Sequence, residues 1–306
     1  MDPALQKSLA LGVLPPALFT GIVLLLAWWW RRMPESAEAR AALLPPSNTN
    51  TIGERLWLTP LVFAIAYLPV HHFLLGGFKP QPIAAADWMP HVTVLAGVLG
   101  ALATIARMPL AVRWVWRALV CAAIAGAIAS GKIRNGWPMS EAIPTLAAFV
   151  IHTLFAWWLF ERVTDRTRGP GGPIILMIYA AGVSQVLVLA FYSLRLAQMP
   201  TAMAAVAGAA TVVALIRPRF TLAFGGVHVI LLVSNAALLQ GVLFPGDAIL
   251  PRVLPWVLLA SPLLAALADF IPLKGWKLVV VRSVLAVIPV AAAIGVAVSL
   301  RPADEY

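Results

Sequence analysis

The sequence predicts an all-α, polytopic integral membrane protein of about ten transmembrane helices, and three observations carry that prediction. The 306 residues are 61% hydrophobic and only 11% charged, with a mean hydropathy of +0.91, an apolar excess that a soluble fold of this size has no interior to hide. The apolar residues fall in runs of about 17 to 25, the length that crosses a hydrocarbon core of roughly 30 Å at about 1.5 Å per residue. Basic residues gather in every second link between those runs. A transmembrane barrel is excluded because the runs show none of the strand-length alternation of polarity that a barrel requires.

The runs, in order, are 8–30, 56–75, 90–106, 114–130, 143–160, 173–194, 200–216, 221–241, 253–271 and 279–299. The first has only Lys7 ahead of it and is followed by Trp28, Trp29, Trp30, Arg31 and Arg32 rather than by small residues at a cleavage site, so it reads as a permanent helix and not a secretory signal. Tryptophan favours the headgroup region and arginine the cytoplasmic edge beyond it, which makes this stretch an inner-edge marker. The fifth run ends the same way, with Trp157, Trp158 and Arg162. The odd links carry 15 Lys and Arg, and the even links together with the termini carry 7. Acidic residues divide six and six, leaving +9 on one side and +1 on the other. By the positive-inside rule the odd links are cytoplasmic and both termini lie outside, in a bacterial-type inner membrane. The net charge of +10 is thereby accounted for as a topology signal, with the lipid bilayer and no nucleic acid as partner.

Residues 31–55, rich in Pro, Ser, Asn and Thr around 45–52, read as a cytoplasmic loop, and no link is long enough for a soluble domain, so the chain is one membrane-embedded helical domain. Ten helices give two five-helix halves of opposite orientation, an arrangement used by transporters with inverted repeats, although the halves show no convincing residue identity. Small residues at four-residue spacing (Ala122, Gly126 and Ser130; Ala204 and Gly208; Ala291, Gly295 and Ser299) are expected to be helix-packing faces. The single cysteine, Cys121, forbids an internal disulfide and reads as a small packing residue.

Common catalytic motifs are missing. Gly126 to Ile133 approaches a phosphate loop, but Ile133 stands where a hydroxyl must hold magnesium and no strand precedes it. No cofactor is assigned and no metal centre is expected. His71, His72, Asp87 and His91 gather near the second link, but adjacent histidines point apart on a helix and read as interfacial edge residues. Asp269 is expected to pair with Lys274 or Lys277, and Glu161 with its neighbour Arg162.

Polar residues at membrane depth are costly and mark functional sites by default. In the eighth run Thr221, Gly225, His228 and Asn235 fall on one side of the helix at 100° per residue; the fifth aligns Thr145 with His152, and the sixth aligns Gly182, Gln185 and Tyr192 with Ser184 beside them. His228, Asn235, Gln185 and His152 are therefore the candidate substrate-binding residues, since imidazole and amide groups can accept and donate hydrogen bonds at once. A haem held by His152 and His228 at matched depth is set aside, because a histidine pair alone does not meet a haem's further requirements. Three functions follow: a small-solute transporter or permease with a midplane site, a non-catalytic subunit with a membrane-protein partner or a second copy, and an embedded enzyme on lipid-linked substrates that uses the outer His71, His72, Asp87 and His91 or the inner Glu161, Asp165 and Asp269. The substrate is not legible.

The orientation is checked by reporter fusions in a bacterial host. Alkaline phosphatase joined after Tyr306 should be active and the same enzyme joined after Arg219 inactive; the opposite pattern inverts the topology.

Overall fold

The computed structural model describes residues 3–29, 57–105, 109–166, 169–217, 220, 222, 225–243, 252–273 and 275–299. The 31–55 loop, Trp30, Arg31, Arg32, Arg40, Arg55, Arg107, Arg168, Arg219, Thr221, Lys274 and Arg301 lie outside them, as do the side chains of Trp28, Trp29 and Asp165. Ten α-helices and no strands are present among the described residues: α1 (Pro3–Trp29), α2 (Leu58–Leu75), α3 (Met89–Ile105), α4 (Leu110–Arg134), α5 (Met139–Arg166), α6 (Gly171–Leu189), α7 (Leu194–Ile216), α8 (Gly226–Leu243), α9 (Leu254–Leu267) and α10 (Trp276–Ser299). Short 3-10 turns at Ala85–Trp88 and Ala268–Phe270 precede α3 and follow α9.

Eight stretches are long and apolar enough to cross a bilayer, while Leu58–Leu74 and Leu254–Phe270 are shorter apolar helices. This is the make-up of a multi-pass membrane protein. The outward faces agree: Leu14, Leu18, Ile22 and Leu26 are exposed on one stripe of α1, as are Val112, Val115 and Leu119 on α4 and Val280, Val284 and Val287 on α10. Such stripes suit hydrocarbon and not water.

The helix ends depart from the hydropathy reading where local backbone chemistry intervenes. The sixth run was expected to reach 194, yet α6 stops at Leu189. Tyr192 turns the chain with φ of 50°, and the Ser193 hydroxyl caps α7 by accepting from the Leu196 N–H at 3.2 Å. Pro200, expected to open the seventh run, instead lies inside α7. Hydropathy sees apolar length, whereas the cap decides where the helix begins.

The helices are arranged around α8, which packs against α2, α3, α4, α5, α6 and α7. Every residue of α8 except Val242 is buried. At the rim α1 lies on α7 and α2, while α9 and α10 lie on each other and on α6. Contacts between links respect the alternation of the chain. The Lys132 ammonium donates to the Leu243 carbonyl at 2.8 Å, which puts the C-terminal ends of α4 and α8 at one end of the bundle. The Gly169 N–H donates to the Phe220 carbonyl at 3.3 Å, which joins the α5–α6 link to the α7–α8 link.

Close helix approach relies on glycines other than most of those expected. A Cβ at Gly97 would stand 2.6 Å from the Ala64 Cβ, and one at Gly100 would stand 2.6 Å from the Pro60 Cβ and 2.8 Å from the Gly225 carbonyl, so α3 rests directly on α2 and on the start of α8. Gly182 likewise admits Val290 of α10 against α6. The expected stripe on α4 does not pack: Ala122 is exposed, Gly126 and Ser130 are half-buried, and nothing lies within 4 Å of a Cβ at Gly126. Ala291, Gly295 and Ser299 are exposed on α10. The inward face of α4 is built instead from Cys121, Ile124, Ala125 and Ile128, because the interior rewards larger buried area where backbones need not touch. Both members of the α7 pair face inward: a Cβ at Gly208 would stand 3.3 Å from the Met177 sulfur, and Ala204 is partly buried against the core. Cys121 itself is fully buried.

Gly100→Ala should lower stability in detergent by about 1–3 kcal/mol through overpacking, whereas Gly126→Ala should be neutral or stabilising by up to about 1 kcal/mol through helix propensity. Thermal unfolding of the two variants beside the parent checks the contrast.

Candidate functional site along the central helix

The polar residues of α8 are each placed by a different neighbour. The Tyr179 hydroxyl of α6 donates to Asn235 Oδ1 at 2.6 Å, and Asn235 Nδ2 donates to Thr153 Oγ1 of α5 at 3.4 Å. All three side chains are inaccessible to solvent. Asn235 thus uses both halves of its amide to tie α8 to two helices, as a polar residue in hydrocarbon must.

His152, next to Thr153, turns away from this trio. Its Nε2 donates to the Pro255 carbonyl at 3.0 Å in the first turn of α9, and its ring meets Trp256 edge-on at 5.2 Å. His228 packs edge-on against Trp157 at 4.5 Å, and its Nδ1 is buried with no hydrogen-bond partner among the described residues. Gln185 is exposed on the outer side of α6. The inward polar residue of that helix is Ser184, whose hydroxyl bonds the Ala197 carbonyl at 3.1 Å and Thr201 Oγ1 at 2.6 Å. His228, Asn235, Gln185 and His152 therefore do not meet in one pocket. His152 and His228 meet different neighbours, Pro255 and Trp256 for the one and Trp157 for the other. Helical angle placed each residue on a face of its own helix; the rotation of the neighbouring helices decides which faces meet.

At the N-terminal end of α8 stands a cluster that charge counting treated only as topology. Arg117 is 3% exposed and forms an ion pair with Glu161 of α5. Its guanidinium lies over the rings of both Trp114 and Trp157, 4.9 Å from each ring centre. Trp157 is therefore shared between Arg117 and His228. Arg117 Nη1 and Arg113 Nε are buried without partners among the described residues. The sequence held one signal, that Arg117 falls inside the fourth apolar run, 114–130; in the structure α4 begins at Leu110, which sets Arg117 two turns from its start.

Glu161 thus pairs across helices with Arg117 and not with Arg162, whose guanidinium lies over Trp158 at 5.5 Å. Asp269 pairs with Arg282 of α10, and Lys274, one of its two expected partners, lies outside the described residues. In both cases the partner is an arginine buried to within 4% of its side-chain area, where an unpaired charge costs most.

At the other end of α8 a cavity of about 670 Å³ opens, lined by Ile83, Ile128, Lys132, Trp137, Leu196 and Gln240 among others. Gln240 is 1% exposed, and its Nε2 has no partner among the described residues. The Lys132 ammonium sits 4.6 Å from the centre of the Trp137 ring. The phosphate-loop resemblance at Gly126 to Ile133 is part of continuous helix α4. Beside the cavity, Asp87 accepts from the Ala84 N–H at 3.0 Å and pairs with Lys79 at 2.9 Å, while His91 donates to the Asp87 carbonyl at 3.2 Å and stacks on Phe78. His71 accepts from the Tyr67 hydroxyl at 3.4 Å and His72 is exposed. No group of three or more His, Cys, Asp or Glu is placed to hold a metal ion among the described residues.

Tyr179→Phe leaves Asn235 Oδ1 short of a donor and should cost about 0.5–2 kcal/mol. In an Asn235→Leu background the same change should cost almost nothing, a coupling that a double-mutant cycle of unfolding in detergent measures. Compared with protein-family models, with curated proteins and with solved structures, the chain shows no match to any.

Proposed function

We propose that the chain is a ten-span small-solute transporter or permease of a bacterial-type inner membrane, with both termini on the outer side and its solute path along α8. The observation that carries this reading is the placement of polar groups on a helix enclosed by protein. His228, Ser234, Asn235 and Gln240 are all buried on α8, with an open cavity of about 670 Å³ at one end and a buried arginine corner at the other. Polar groups at such depth are kept where they meet solute, ion or one another. Asn235 has partners, whereas His228 Nδ1, Ser234 Oγ and Gln240 Nε2 have none among the described residues.

The packing supports two opposed five-helix halves. Within the first half α1 lies on α2, α2 on α3 and α4 on α5; within the second, the corresponding α6 lies on α7, α7 on α8 and α9 on α10. The related pairs α2 and α7, and α3 and α8, also pack on each other, as elements beside a pseudo-two-fold axis do. The basic count places the arginine corner in the cytoplasmic leaflet and the cavity in the outer one.

A second reading, a non-catalytic subunit or homo-oligomer, is favoured by one observation: the small-residue stripes Ala122, Gly126, Ser130 and Ala291, Gly295, Ser299 face outward, where another helix could approach closely. The enzyme reading is weaker, because Glu161 and Asp269 are each held by an arginine and Asp87 by a lysine.

Thiol accessibility separates the readings. In a Cys121→Ala background, Gln240→Cys should react with an impermeant thiosulfonate added outside, and Ser234→Cys should react from either face as the path opens and closes. If both cysteines stay sealed from both faces while the protein remains folded, there is no path, and the subunit reading replaces transport.

A further inference from the structure

We infer that Arg113, Arg117 and His228, at the N-terminal end of α8, form a binding site for a phosphate-type oxyanion. The proposal names a ligand class for one end of the proposed path and rests on that reading for its purpose, but not for the binding itself. Arg113 and Arg117 are one turn apart on α4 and share a face. Among the described residues this corner holds two arginines and one carboxylate, Glu161, which Arg117 engages.

The donors are fixed before any ligand arrives. Arg117 is clamped between the Trp114 and Trp157 rings and anchored by Glu161, which leaves its Nη1 unused. His228 is 3% exposed and held against the same Trp157 ring, its imidazole within reach of the Gly225 backbone and its Nδ1 without a full hydrogen bond, and Arg113 contributes an unused Nε–H. Arg117 and His228 share the Trp157 ring, and Arg113 stands one turn from Arg117 on α4. A buried polar atom without a protein partner is satisfied by water, an ion or a ligand, and three donors gathered at one charged corner favour an ion. Arginine N–H groups can only donate, and imidazole donates from Nδ1 in one of its tautomers, so the complement is an acceptor-only group with negative charge. The start of α8 adds the positive end of an 18-residue helix. Donors from two helices and a helix end suit the several oxygens of a tetrahedral phosphate better than the two coplanar oxygens of a carboxylate.

The oxyanion has two possible sources, free phosphate or an anionic lipid headgroup, and the test has an arm for each. Full-length protein in neutral detergent and chloride buffer is titrated with inorganic phosphate by calorimetry, and the same protein in nanodiscs of phosphatidylglycerol or phosphatidylcholine is examined by native mass spectrometry. The expected result is saturable phosphate binding, or selective retention of phosphatidylglycerol, weakened at least about tenfold in Arg113→Gln and in His228→Phe. Circular dichroism verifies that both variants keep their helix content. If Arg113→Gln does not fold, Arg113→Lys, which keeps the charge and loses the Nε donor, takes its place with the same expectation. No preference of the parent protein for phosphate over chloride or for phosphatidylglycerol over phosphatidylcholine overturns the site, and so does binding that every folded variant retains. Phosphate binding together with sealed cysteines at Ser234 and Gln240 keeps the site and removes the path; open cysteines without oxyanion binding do the reverse.

Discussion

The structure depends on one constraint: α8 is enclosed by protein on all sides yet carries His228, Ser234, Asn235 and Gln240. A helix satisfies its own backbone, so an apolar α8 could rotate or slide among its neighbours at little cost. A buried amide cannot. Asn235 must keep Tyr179 on one side and Thr153 on the other, and this fixes the rotation of α8 against α5 and α6 together. Once that register is set, the remaining polar groups of α8 are carried to the two ends, one toward Trp157 and Arg117 and the other toward the cavity lined by Gln240.

Charge is managed by the same logic of enclosed partners. Arg117 and Arg282 are both nearly inaccessible, and each is neutralised by a carboxylate from the adjoining helix, Glu161 on α5 and Asp269 in the turn after α9. Breaking such a pair leaves a stranded charge, which is far more costly than the pair is stabilising, so these contacts specify which helices adjoin more than they add to stability. Trp157 extends the first pair, because one ring serves as cation platform for Arg117 and edge contact for His228. Through it α4, α5 and α8 meet at a single point, and the chemistry at the N-terminal end of α8 is tied to the packing of the bundle.

The rim is built differently. Gly97, Gly100 and Gly182 let α3 and α6 approach their neighbours to the limit of van der Waals contact, while the equally small residues of the α4 and α10 stripes look outward. In lipid, where burial of apolar area gives no drive for association, a small residue is useful only where another backbone is present. The same composition therefore marks a tight interface in one place and an unfilled groove in another.

The sequence by itself determined the solvent and the elements. Apolar run length is a one-dimensional property set by bilayer thickness and helical rise, so all ten runs recur as helices, with ends shifted by several residues, as where the Ser193 cap and the Tyr192 turn override hydropathy. It also marked His228 and Asn235 as interior, because two polar residues on an otherwise aliphatic helix must avoid lipid. Which residues meet was decided by the tertiary structure alone. Helical periodicity gives the angle of a side chain about its own axis but not the rotation of the next helix, so Gln185 faces outward, His152 turns to Pro255, and Arg117, read first as a topology marker, stands beside His228. A contact between residues far apart in the chain, such as Arg117 with Glu161, leaves no periodic trace in one sequence; it exists only once the helices have chosen their neighbours.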